Sequence, residues 1–161
     1  MNNLPFPVGD RAELYAKQHG LTIEKQIGGG VDGLVQGTDR KTAIKTLNNH
    51  HLYRQERDVY RHFRRRKVSN VNGFQIPTLV DVDDELWVIE MTVVSPPFIV
   101  DFASASLIRR TEFEPEIRAE WMEAKEEQFE GDWPRVKMAM WALDRIGVFL
   151  NDVHPGNVCC R

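Results

Sequence analysis

The chain has 161 residues, 42% of them apolar, with a formal charge of -3. That length and apolar content suit one globular unit with a proper core, and the charge gives no global electrostatic basis for binding nucleic acid or an anionic membrane. No window approaches the ~18 consecutive apolar residues of a membrane span, and Met1–Asp10 has neither the basic start nor the apolar core of a signal peptide. The expected compartment is therefore the cytoplasm.

In chain order, Asp10–His19 reads as a short helix, capped by Asp10 and stopped by Gly20. Leu21–Ile27, Gly33–Gly37 and Lys41–Leu47 are short, branched or alternating apolar runs separated by glycines and by the Thr38-Asp39-Arg40 turn. They predict an antiparallel meander. Leu52–Lys67 places Leu52, Val59, Tyr60 and Phe63 at helical spacing, so one face can pack on the meander while the arginines stay solvated.

Phe74–Leu79 and Leu86–Met91 read as two more strands joined near the acidic turn Asp81–Glu85, giving five strands and one intervening helix. Ser95-Pro96-Pro97 breaks the backbone pattern, because proline lacks a ladder donor and restricts its predecessor. The expected boundary lies there, with residues 1–94 as one lobe and 95–161 as another. Beyond it, Glu114–Glu130 and Trp133–Ile146 read as amphipathic helices. Asn151–Asn157 is a loop by composition, ahead of Val158-Cys159-Cys160. The two cysteines are adjacent, so they cannot staple distant segments, and they read as small hydrophobes in a terminal strand.

Three motifs carry chemistry. Gly28-Gly29-Gly30-Val31-Asp32-Gly33-Leu34-Val35 fits G-x-G-x-x-G-x-V and joins two predicted strands rather than opening a helix. Gly28, Gly30 and Gly33 would let backbone amides approach phosphate oxygens without obstruction. Thr42-Ala43-Ile44-Lys45 matches V-A-I-K except at its first residue. Alternation puts Ala43 and Lys45 on one face, which suits a flat base over Ala43 and an ammonium reaching phosphates. Asp152-Val153-His154-Pro155-Gly156-Asn157 has D-x-x-x-x-N spacing.

Together these motifs resemble the protein kinase superfamily over most of the chain. The resemblance implies an α+β fold: a small lobe of five antiparallel strands plus one helix, followed by a reduced helical lobe. It implies ATP as cofactor, cradled by the glycine-rich loop with Val35 and Ala43 beside the base, and anchored by Lys45. Glu56, with Asp58 as rival, would pair with Lys45. Ile89 would guard the back pocket, and the backbone carbonyl of Glu90 and amide of Thr92 would read the adenine edge.

Asp152 would be the catalytic base and Asn157 a ligand of Mg2+. Leu150 stands where the superfamily usually has a histidine. The His154-Pro155-Gly156-Asn157 run is more similar to atypical kinases and to the small-molecule phosphotransferases of aminoglycoside and choline type. The D-F-G segment that normally supplies the principal magnesium ligand is absent from these 161 residues, so an incomplete metal site is expected.

The implied function is an ATP-dependent, serine/threonine kinase-like phosphotransferase acting on a protein substrate or partner. The alternatives are a pseudokinase that binds nucleotide and a protein partner, and a small-molecule phosphotransferase. The basic run Arg61–Lys67 and the acidic stretch Glu112–Asp132 read as solvated faces, the former also suiting a helix C-terminal dipole, and not as a nucleic-acid site.

Overall fold

The computed structural model describes residues 6–161; residues 1–5, half of the Met1–Asp10 stretch read above, lie outside the described residues. The elements fall into two units. One comprises the chain up to Lys67 together with Pro77–Val93, and the other comprises Val68–Ile76 with Val94–Arg161.

The first unit is built on a five-stranded antiparallel sheet. Its strands are β1 (Ile23–Gly30), β2 (Gly33–Thr38), β3 (Thr42–Leu47), β6 (Leu79–Asp83) and β7 (Val88–Thr92), in spatial order β1-β2-β3-β7-β6. The registers Gln36↔Ile44↔Glu90 and Val35↔Lys45↔Ile89 define its two faces. Because side chains alternate, Ala43, Lys45, Ile89 and Met91 share one face while Ile44, Glu90 and Val88 share the other.

Each face has its own helix. The helix α1 (Val8–His19) packs Ala12, Tyr15 and Ala16 against Ile44 and Val88, and it ends where Gly20 takes a left-handed conformation at φ 65°. Its N-terminus is set by Pro7, and Asp10, expected as the cap, lies within the first turn. Arg11 is buried in the same layer, donating to the carbonyls of Leu47 and Leu86 and lying over the Trp87 ring. Burial alone holds that guanidinium below its ordinary pKa. The helix α2 (His50–Arg66) turns Tyr53, Glu56, Val59, Tyr60 and Phe63 inward, capped by Asn49 Oδ1, which accepts from the amides of His51 and Leu52. Arg64, Arg65 and Arg66 fall in its exposed last turn, the position at which cations complement the helix dipole.

One predicted strand divides. Phe74–Leu79 straddles Pro77, which has no amide to give to a ladder. On one side of it, β5 (Phe74–Gln75) pairs with β4 (Asn70–Val71) and belongs to the second unit. On the other, the fourth strand of the main sheet is Leu79–Asp83, which takes up residues 81–83 of the segment read as an acidic turn. The turn itself is residues 84–87.

The second unit combines a small sheet, β4-β5-β8-β9, with two helices. The strand β8 (Phe98–Ile99) lies parallel to β5 and antiparallel to β9 (Val158–Cys159). The helices α3 (Pro115–Phe129) and α4 (Trp133–Arg145) both start with a proline in the first turn, where its missing donor is harmless. Trp133 is buried, stacked on Phe129 and edge-on to Trp121. Arg135 lies over the Phe74 ring, 4.7 Å from its centroid, and so ties α4 to the small sheet. No helix among the described residues is long and apolar enough to cross a membrane.

Candidate functional site

The glycine-rich segment is the β1–β2 hairpin itself. Gly30 and Gly33 are register partners and Val31-Asp32 forms the two-residue tip, with Val31 almost wholly in solvent. The three motif glycines are held by different constraints. A Cβ on Gly33 would lie 2.3 Å from the carbonyl oxygen of Thr46 and 3.1 Å from Leu47 Cα, so this glycine is what lets β2 lie against the end of β3. At Gly28 a Cβ would make ordinary contact with Val35, and at Gly30 it would meet nothing within 4 Å. Gly30 is thus the motif glycine with open space where a side chain would stand.

Below the hairpin, β3 carries Lys45 on the face shared with Val35. Lys45 Nζ lies 2.9 Å from Glu56 Oε1, donating a hydrogen bond, and 2.7 Å from Oε2 in an ionic contact that lacks hydrogen-bond angles. Both residues are buried, Glu56 completely. Asp58, the rival partner, is turned outward to Arg57 Nη2 at 2.8 Å. The helical period separates the two acids, since Glu56 shares the inward face with Val59, Tyr60 and Phe63, whereas Asp58 is two residues away and points elsewhere. Ala43 is buried between its register partners Gly37 and Met91.

Of the two backbone groups expected to face adenine, the Glu90 carbonyl lies on a paired strand and the Thr92 amide is bonded within the sheet. Glu90 lies between Ile44 of β3 and Asp81 of β6, and Thr92 donates its amide to Thr78 at 2.9 Å. Residues 90 and 92 are thus strand residues, paired on the sheet, and the chain leaves the sheet after Thr92. The Glu90 side chain has a separate, structural occupation on the α1 face. Tyr15 Oη donates to Oε2 at 2.9 Å and Thr42 Oγ1 to Oε1 at 2.6 Å. Burial, followed by the bond to Glu90, raises the Tyr15 phenol pKa far above its ordinary value.

In the second unit, the loop before β9 brings Asp152 and Asn157 together. Asn157 is buried, and its Nδ2 donates to Asp152 Oδ2 at 3.2 Å. The backbone locks it there: the Asn157 amide donates to the His154 carbonyl, and the Asn157 carbonyl accepts from Val100. Asp152 itself is exposed.

Sequence reasoning gave His154 no role, yet its Nε2 lies 3.5 Å from the same Asp152 oxygen. Its Nδ1 accepts from the Gly156 amide at 3.1 Å, so in the neutral ring the proton sits on Nε2, facing Asp152. Gly156 is a glycine for a local reason, since a Cβ there would stand 2.7 Å from His154 Cε1.

Asn157 spends its amide donor on Asp152, which leaves Oδ1 as the side-chain oxygen suited to a hard cation. This fits one contact to Mg2+. Among the described residues no group of three His, Cys, Asp or Glu side chains is gathered as a metal site.

No protein-family model matches the sequence. None of the curated proteins matches it either. Among solved structures, the chain is similar to the streptomycin–ATP–APH(2″)-IIa ternary complex, with 20% identity and a TM-score of 0.41 over 59% of this chain and 30% of that one. It is similar to ADP-bound aminoglycoside phosphotransferase APH(2″)-Ib, with 17% identity and a TM-score of 0.42 over 56% and 29%. The gentamicin–APH(2″)-IIa complex gives 17% identity and a TM-score of 0.41 over 59% and 30%. The chain thus spans about 30% of the length of these proteins.

Proposed function

We propose that the chain carries the nucleotide-binding portion of a kinase-like phosphotransferase that uses ATP. The observation that carries this reading is the buried Lys45–Glu56 pair on the same sheet face as Val35, directly behind a glycine hairpin. Burying an ion pair yields little net stability and is often weaker than an apolar replacement, so a buried lysine held by a fully buried glutamate points to use of the lysine. In this reading Gly28 and Gly30 offer backbone amides to the phosphates, Lys45 contacts them as a point charge, and Glu56 holds Lys45 in place. Ala43 lies under the base.

Asp152 accepts or orients the acceptor hydroxyl proton, and Asn157 Oδ1 contributes one ligand to Mg2+ carried by the nucleotide. When bound, the metal supplies charge neutralisation at the transferring phosphoryl group. The acceptor favoured is a small molecule, because the His154-Pro155-Gly156-Asn157 turn, with His154 folded onto Asp152, resembles that of aminoglycoside and choline phosphotransferases, a likeness shared with atypical kinases. A protein hydroxyl acceptor and a non-catalytic nucleotide-binding role are the competing readings.

The test is calorimetric titration with ATP and ADP of the wild type and of Lys45→Ala. Loss of a charge-assisted phosphate contact, ~1.5–3 kcal/mol, should weaken affinity roughly ten- to a hundredfold. Equal affinity in the two proteins would overturn the assignment of Lys45. Phosphate transfer from labelled ATP to amino sugars and amino alcohols, set against peptide hydroxyls, then separates the acceptor classes. Binding without transfer leaves the non-catalytic reading.

A further inference from the structure

We infer that Asn48 is a latch that holds the tip of the glycine hairpin in place before any nucleotide arrives, which makes it a positioning residue for the phosphate-binding loop. The inference rests on the nucleotide-binding reading above. Asn48 donates twice to the two-residue tip. Its side-chain Nδ2 reaches the Val31 carbonyl at 2.8 Å, and its backbone amide reaches the Asp32 carbonyl at 2.9 Å.

The base of the hairpin is fixed independently. Gly33 lies so close to Thr46 that no side chain fits between them, and Gly33 and Leu47 are register partners. A glycine hairpin clamped at its base and bonded at its tip has lost most of the freedom that glycines bring. Each carbonyl turned toward Asn48 also fixes the peptide plane to which it belongs, and hence the direction of the following amide. Those amides, on Asp32 and Gly33, belong to the stretch that a phosphate would meet.

Asn48 is also the residue before Asn49, whose side chain caps α2, the helix that carries Glu56. Two successive asparagines therefore fix the hairpin tip and the start of the helix that positions Lys45. A pre-set loop spares the ligand the entropy of ordering it, and affinity gains accordingly.

The experiment compares wild type, Asn48→Ala and Asn48→Asp by amide hydrogen exchange without ligand and by ADP titration. Asp keeps the shape of the side chain and removes its donor. In both variants exchange in residues 30–34 should rise about two- to tenfold, the worth of one exposed side-chain hydrogen bond, with α1 and α2 unchanged. ADP affinity should fall by a similar factor. Unchanged exchange in the hairpin of both variants overturns the latch, whatever ADP does. Exchange that rises equally in α2 also overturns it, since Asn48 would then act on general stability. If the wild type fails to bind ADP, the nucleotide reading falls and takes the phosphate role of the latch with it, while the exchange data still report the hairpin contact itself.

Discussion

Lys45 and Glu56 meet on the α2 side of the sheet with Nζ 2.7 Å from Oε2, the lysine side chain 8% exposed and the glutamate not at all. Removing either partner leaves the other charge buried without it, which costs about 3–5 kcal/mol. Lys45→Met and Glu56→Leu should each show a loss of this size in urea unfolding. The double variant, in which both charges give way to apolar groups, should regain most of it. A double variant as unstable as the sum of the singles would show that the pair is not coupled. The same double variant removes the phosphate anchor without leaving a buried charge, so it also serves the nucleotide titration should Lys45→Ala fold poorly.

The motif glycines should separate in a stability assay. Gly33→Ala forces a Cβ to within 2.3 Å of a backbone oxygen on the neighbouring strand, so β2 or β3 must move. Overpacking of this kind costs typically about 1–3 kcal/mol. Gly30→Ala meets nothing within 4 Å and should melt close to wild type while weakening ADP binding. Thermal unfolding and ADP titration on the two variants check both halves. Equal melting shifts would contradict the steric account.

One of the polar contacts that hold α1 on the sheet depends on a single hydroxyl. Tyr15 is completely buried and donates to Glu90, itself buried, so Tyr15→Phe withdraws one of the two hydroxyl donors that hold this carboxylate. A hydrogen bond to a charged group contributes about 1.5–3 kcal/mol. Chemical denaturation should register a loss in that range, and hydrogen exchange should place it in α1 and β7. A loss below about 0.5 kcal/mol, the lower end for an ordinary hydrogen bond, would mean that Glu90 is adequately held by Thr42 alone.

The acid limb of the stability curve should carry the mark of Asp84. Its carboxyl is held below the ordinary 3.8, first by the hydroxyl of Tyr53 and next by Arg57. A carboxyl depressed in the folded state stabilises the fold above its unfolded pKa, and that contribution is lost as pH falls through the folded value. Wild type should therefore lose stability more steeply than Asp84→Asn below about pH 4. Over half of the Asp84 side chain is exposed, so the difference is about 1 kcal/mol or less. Urea midpoints of both proteins between neutral pH and the acid limb supply the comparison, and parallel curves would remove Asp84 from the account.

Residue types and their local spacing were enough to announce several features of this protein. The hairpin at Gly30–Gly33, the face shared by Ala43 and Lys45, the inward Val59, Tyr60 and Phe63 of α2 (though not Leu52, which is only half-buried beside the buried Tyr53) and the turn joining Asp152 to Asn157 all depend on neighbours within a few positions, where backbone periodicity decides direction. The choice of Glu56 over Asp58 was open in the sequence, since both lie on one helix at plausible distance from Lys45. Only packing of α2 on the sheet selected between them, by burying one and leaving the other to Arg57. The same holds for Phe74–Leu79, where an apolar run gave no sign that Pro77 would send its halves to different sheets. Glu90 and Thr92 were read as the end of a strand facing a ligand, but pairing with β3 and β6 encloses the first, and the amide of the second is bonded to Thr78. Strand pairing joins residues far apart in the chain, and no local pattern records which backbone groups it will consume. The hold of Asn48 on Val31 belongs to the same class: it spans 17 positions, and it exists because Gly33 lets two strands come close enough for the asparagine to reach the hairpin tip.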